Sequence, residues 1–67
     1  MTTIQLNGSE RQVADGQSVA DLLEALGVRH PFTIVERNGA VLRKEDFSST
    51  ALVTGDRIEI IALMGGG

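Results

Sequence analysis

Three consecutive glycines, Gly65, Gly66 and Gly67, follow directly on Ile58-Glu59-Ile60-Ile61-Ala62-Leu63-Met64. The group this arrangement offers for chemistry is the α-carboxylate of Gly67. Glycine makes up about 7% of ordinary chains, so three in a row at a given place arise by chance roughly once in three thousand chains. Residues without Cβ thread a channel too narrow for other side chains, and they leave a terminal carbonyl open to attack from either face. A carboxylate is itself a poor electrophile. It must first be activated by another enzyme, for instance as a mixed anhydride with AMP, and the rest of the chain then serves as the handle by which that enzyme recognises the tail. An inert, disordered end is the competing reading.

No side-chain constellation competes with the carboxylate. Cysteine is absent, which rules out disulfide staples, thiolate metal sites and a cysteine nucleophile. His30 is the only histidine, which argues against a zinc site or a histidine-centred triad. Asp15, Asp21, Glu24, Glu45 and Asp46 match no ligand spacing and read as solvated surface charge. Gly8, Gly16, Gly39 and Gly55 sit at turns, and none opens a helix after a strand with the spacing of a phosphate-cradling loop. A catalyst in its own right is therefore the least supported class.

The partners are bounded in the same way. The net charge is −3, the six basic residues are scattered, and Phe32 and Phe47 are not interleaved with them, so nucleic acid is not an expected partner. No apolar stretch approaches the roughly 20 residues of a membrane span. Met1-Thr2-Thr3 opens without the features of a signal peptide, and a cytoplasmic protein is expected. Sixty-seven residues make one domain, with about 60% of its unfolded surface buried and no room for a closed catalytic cleft.

The elements that must position the tail are well punctuated. Thr3-Ile4-Gln5-Leu6 alternates, Asn7-Gly8 supplies residues that tolerate positive φ, and Glu10-Arg11-Gln12-Val13 returns, which predicts a hairpin. Asp15-Gly16 breaks the strand. Ser18 with Asp21 resembles a capping box, Val19, Leu22, Leu23 and Leu26 fall on one helical face, and Gly27 supplies the C-terminal cap. Phe32 to Arg37, a turn at Asn38-Gly39 and Ala40-Val41-Leu42 predict a second hairpin. Arg43 to Asp46 suits a loop or a short helical turn with Phe47 packed under it. Thr54-Gly55-Asp56 then feeds the last strand, with Ile58, Ile60, Ala62 and Met64 on one side and Glu59, Ile61 and Leu63 on the other. The order is ββαββ plus a closing strand, hence an α+β fold. The expected division is a folded domain over 1–64 and a flexible glycine tail over 65–67. With Ile58 and Ile60 turned toward the helix, Ile61 and Leu63 form an outward apolar patch beside the tail, the kind of surface that marks a partner contact.

Taken together, Ile4-Gln5-Leu6-Asn7-Gly8, Ser18-Val19-Ala20-Asp21-Leu22-Leu23, Val35-Glu36-Arg37-Asn38-Gly39, Gly55-Asp56-Arg57-Ile58-Glu59-Ile60 and the glycine end resemble the ThiS/MoaD family of ubiquitin-like sulfur carriers, nearest its ThiS branch. The resemblance covers the whole chain and implies the β-grasp fold, a mixed sheet packed on one helix with the last strand central beside the first. It also implies a cycle. A ThiF-like adenylyltransferase would use ATP to adenylate Gly67, sulfur drawn from cysteine by a desulfurase would convert the adenylate to a thiocarboxylate, and a ThiG-like thiazole synthase would accept that sulfur. Gly65 and Gly66 would thread the partner's channel, and Ile61 with Leu63 would dock. No cofactor is bound by the carrier itself; ATP belongs to the adenylyltransferase.

Two features depart from the family pattern. Phe47 stands where many relatives carry tryptophan or tyrosine, and Ala62-Leu63-Met64 lacks the usual aromatic approach to the tail. The competing functions are a MoaD-like carrier for molybdopterin synthesis, a ubiquitin-like modifier that forms isopeptide bonds, and an interaction module with an inert tail. MoaD-like chains are usually longer and commonly end in two glycines. Chain length and the Glu36-Arg37-Asn38-Gly39 turn favour the thiamin branch.

Overall fold

The computed structural model describes residues 1–29 and 31–62. His30, Leu63, Met64 and the expected tail, Gly65 to Gly67, lie outside the described residues. Two Asn-Gly turns set the frame. Asn7 and Gly8 have φ of 49° and 84°, and Asn38 and Gly39 have φ of 54° and 85°. Positive φ at both central residues matches the right-handed twist of the flanking strands. The first turn joins β1 (Thr2–Leu6) to β2 (Ser9–Val13), and the second joins β3 (Thr33–Arg37) to β4 (Ala40–Leu42). Between the hairpins lies α1 (Val19–Leu26), and β5 (Arg57–Ala62) comes last.

The strands form one sheet in the order β2-β1-β5-β3-β4. β5 runs parallel to β1, with Gln5 opposite Arg57 and Leu6 opposite Ile58, and antiparallel to β3 from Arg37 opposite Ile58 to Thr33 opposite Ala62. The last strand is thus central beside the first, in a mixed sheet packed against a single helix: the β-grasp arrangement.

Local chemistry determines where α1 starts and stops. Ser18 Oγ accepts from Asp21 N at 3.1 Å, and the Asp21 carboxylate accepts from Ser18 N at 3.0 Å. Aspartate at the third position closes the box as glutamate would. At the far end Gly27 takes φ of 72°, its N–H donates to Glu24 O, and Val28 N donates to Leu23 O. These two bonds satisfy carbonyls the helix cannot pair internally. Replacing Ser18 by alanine is expected to cost about 1 kcal/mol. For a domain of this size that lowers the unfolding midpoint by about 4–8 °C, readable by circular dichroism. An unchanged midpoint would show that the cap is not needed.

The helix buries Val19, Leu22 and Leu23 against Ile4, Val13, Val35 and Ile58 of the sheet. Ile58 and Val35 are completely buried, each large aliphatic contributing about 1.5–3 kcal/mol by leaving water. Leu52 completes this core, although no periodicity marks it. The connection carrying it is stitched to the start of the helix by Ala20 N to Phe47 O, Val19 N to Thr50 O and Leu52 N to Gln17 O. Lys44 to Asp46 form a single 3-10 turn, with Phe47 half-buried against the core as expected. Asp15, Asp21, Glu24, Glu45 and Asp46 are all exposed.

Candidate functional site

Residues 63–67 follow β5 in the chain, so the site is built from what holds that strand. Its entry is fixed by Asp56, whose side chain is 4% exposed. The carboxylate accepts from Arg37 Nε at 3.1 Å, Asn38 Nδ2 at 3.0 Å and Val53 N at 3.0 Å. Burial alone raises the pKa of Asp56, but the hydrogen bonds from Val53, Asn38 and Arg37, with the guanidinium charge, outweigh it and hold the carboxyl below its ordinary value. One buried anion therefore ties the loop before β5 to the β3–β4 turn.

The two turn asparagines act on β5 from opposite sides. Asn38 N donates to Arg57 O at 2.8 Å and its Oδ1 accepts from Arg57 N at 2.8 Å. Asn7 N donates to Ile58 O at 2.9 Å, and its Oδ1 accepts from Ile60 N at 2.8 Å. Each asparagine side chain supplies a ladder bond where the neighbouring strand has ended. Beyond Ile60 the strand is paired only with β3. Asn7 is thus the last clamp on the β1 side before the chain runs on toward the glycines.

Replacing Asn7 by glycine keeps the positive φ and the backbone donor but removes the acceptor for Ile60 N. The expected results are faster amide exchange at Ile60 and a loss of about 1 kcal/mol. Asn7→Asp retains an acceptor and should restore protection. Unchanged exchange in the glycine variant would refute the clamp.

The outward face follows from the core. Ile58 is buried and Ile60 packs half-buried on the core, so Arg57, Glu59 and Ile61 point away from the helix. Ile61 is 43% exposed and stands directly opposite Ile34, and Val41, opposite Glu36 on β4, is 67% exposed. Ala62 falls on the inner side by alternation yet is exposed, because β5 has by then run past the core. Of the residues expected to act, the structure describes only Ile61, which it places outward; Leu63, Gly65, Gly66 and Gly67 lie outside the described residues.

Among the described residues there is no group of three histidine, aspartate or glutamate side chains able to hold a metal, and no helix is long and apolar enough to cross a membrane. What the arrangement provides is a central strand, β5, bonded on one side by Asn38 and on the other by Asn7.

A model of the ThiS family matches residues 4–67. The chain is 35% identical over 65 residues to the sulfur carrier protein ThiS of Bacillus subtilis, covering 96% of this chain and 98% of that one. It is 39% identical over 62 residues to a thiazole synthase of Paramagnetospirillum magneticum, where 92% of this chain spans only 19% of the other protein's length. The crystal structure of a thiamine biosynthesis protein, ThiS, from Geobacter metallireducens superposes with a TM-score of 0.83 at 38% identity, covering 98% of this chain and all of that one. The chain belongs to the ThiS family, whose members are ubiquitin-like sulfur carriers and not enzymes.

Proposed function

We propose that this chain carries sulfur for thiamin thiazole synthesis as a thiocarboxylate on Gly67. The observation that carries the reading is the reach of the family match, which runs through residue 67 and so takes in the glycines. In the first step a carboxylate oxygen of Gly67 attacks the α-phosphorus of ATP on a ThiF-like adenylyltransferase. Pyrophosphate leaves and an acyl adenylate forms. In the second, sulfur drawn from cysteine by a desulfurase as a persulfide, and brought to the sulfide level by two electrons from thiols that end as a disulfide, attacks the acyl carbon. AMP leaves, and the carbon–sulfur bond replaces the bond to the adenylate oxygen. A ThiG-like thiazole synthase then accepts the sulfur.

In this reading residues 1–64 are the handle and 65–67 the moving part. Gly65 and Gly66 thread the adenylyltransferase channel because they present no Cβ, and Ile61 with Leu63 supplies apolar docking contacts. The acceptor is supported by the thiazole synthase of Paramagnetospirillum magneticum, one stretch of which matches nearly all of this chain. A cytoplasmic setting, shared with the adenylyltransferase, is part of the proposal.

Complementation separates the two carrier branches. Expressed in a bacterium lacking its own thiazole-branch carrier, the chain should restore growth without thiamin. Rescue of a strain lacking the molybdopterin carrier, with no rescue of the first, would assign it to the MoaD-like role instead.

A further inference from the structure

The two Asn-Gly turns share one chemistry and differ in what restrains it. Where asparagine precedes glycine, the glycine amide nitrogen can attack the asparagine Cγ, because no side chain shields that nitrogen. The new nitrogen–carbon bond closes a five-membered succinimide, and the side-chain nitrogen leaves as ammonia. Water then opens the ring at either carbonyl. One opening yields aspartate; the other yields isoaspartate, whose main chain runs through the side chain and is longer by one methylene. The net change is one water taken up and one ammonia released, with no electrons exchanged.

Asn7 and Asn38 are both exposed and both sit at positive φ. No atom beyond their chain neighbours lies within 4 Å of where a Cβ on Gly8 or Gly39 would stand, so packing blocks neither attack. The restraint on the two asparagine side chains is unequal. Asn38 is held at both ends of its amide: Nδ2 donates to Asp56 Oδ1 at 3.0 Å, and Oδ1 accepts from Arg57 N at 2.8 Å. The Asp56 carboxylate is itself fixed by Arg37 and Val53. Its charge opposes the negative charge that attack would build on the Asn38 amide and leave on the product.

Asn7 is held by its oxygen alone, through the bond from Ile60 N, and among the described residues no acceptor meets its Nδ2. One neutral hydrogen bond must break before the Asn7 side chain can turn onto Gly8. At Asn38 two must break, one of them to an anion, which is the stronger kind. Local opening of this sort is what exposes a folded chain to slow chemistry.

We propose that Asn7 is a site of spontaneous deamidation, converted with Gly8 through a succinimide to aspartate and isoaspartate, while the fold spares Asn38. The two products part at β5. Aspartate keeps an oxygen where Ile60 N needs one. Isoaspartate lengthens a two-residue turn whose geometry depends on positive φ at both central residues, and so disturbs the pairing of Leu6 with Ser9 and releases Ile60 N. The last clamp on the β1 side of β5 therefore has a limited lifetime, set by water and pH and requiring no enzyme. The inference is independent of the carrier reading.

The test follows the parent chain during incubation at mildly alkaline pH, once folded and once in urea, by brief tryptic digestion and mass spectrometry. Cleavage after Arg11, Arg37 and Arg43 places Asn7 in residues 1–11 and Asn38 in residues 38–43. A digest taken before incubation corrects for conversion during proteolysis. Relative to the urea sample, residues 1–11 of the folded chain should exchange amide for acid at least about tenfold faster than residues 38–43, given the added bond to a charged group at Asn38. The product should appear as two isomers. The purified isoaspartyl chain should show faster amide exchange at Ile60 and an unfolding midpoint lower by a few degrees, while the aspartyl chain should match Asn7→Asp.

Conversion of Asn38 as fast as Asn7 in the folded chain would overturn the inference. So would an unchanged Asn7 over a period in which the urea sample converts. An isoaspartyl chain with the parent's exchange rate at Ile60 would overturn the link to β5.

Discussion

Removal of Gly67 is expected to reduce adenylation by at least a hundredfold and to leave thermal unfolding unchanged. Shortening the chain by one residue draws the carboxylate back by about 3.3–3.6 Å. A misplacement of about 1 Å can already cost a hundredfold when reacting atoms must be held in line. Among the described residues the core is built from Ile4, Val13, Val19, Leu22, Leu23, Val35, Leu52 and Ile58, and a glycine has no side chain to add to it. Activity and stability should therefore separate cleanly. Pyrophosphate exchange with the ThiF-like enzyme reads the first, and circular dichroism reads the second. Undiminished exchange by the truncated chain would remove the carboxylate of Gly67 from the mechanism.

Replacing Asp56 by alanine should do the opposite and destroy the handle while leaving the chemistry of the tail untouched. The substitution strips three donors of their acceptor at once: Arg37 Nε, Asn38 Nδ2 and Val53 N. Breaking a buried charge pair typically costs about 3–5 kcal/mol. The lower end applies here, because the Arg37 side chain is 33% exposed and can turn partly to water. A domain of this length has roughly 3–10 kcal/mol of total stability, so a loss near 3 kcal/mol removes from about a third to nearly all of it. The unfolding midpoint should fall by about 12–24 °C. A fall of less than about 4 °C would show that Asp56 is not the anchor of β5.

Acid should reproduce part of this effect. The folded-state pKa of Asp56 lies below the ordinary aspartate value of 3.8. A group with a depressed folded pKa contributes stability that is complete above its unfolded pKa and is lost as pH falls through the folded one. Asp56 therefore stabilises fully above about pH 4, and its contribution disappears below that. Asp56→Asn should flatten this part of the stability profile.

Much of the frame is legible in the chain because the signals are local. Asn7-Gly8 and Asn38-Gly39 announce their turns through the backbone angles they tolerate, and Ser18 with Asp21 announces the helix start through two reciprocal hydrogen bonds. The structure adds what only distant contacts decide. Nothing local indicates that the Asn7 side chain will serve Ile60, 53 positions away, or that Asn38 will serve Arg57. Asp56 reads as a turn residue before a strand, yet its burial depends on a hairpin that begins more than twenty residues earlier. Leu52 lies outside any periodic stretch and becomes core through the backbone bonds of its loop to Gln17.

Alternation separated Ile61 from Ile58 but could not say which side was inward. The helix packing on Ile58 settles it. Glu36 and Glu59 look like ordinary surface charge until the β3–β5 register sets them face to face. Register across non-consecutive strands is the information a sequence pattern lacks.

The most direct test is intact mass spectrometry with C-terminal fragmentation after incubating the chain with ATP, the ThiF-like adenylyltransferase of the same host and a sulfur donor. The expected result is a mass gain equal to exchanging one oxygen for one sulfur, confined to Gly67. An unmodified mass, with the same enzyme shown active on another carrier, would contradict the assignment of Gly67 as the sulfur-bearing residue.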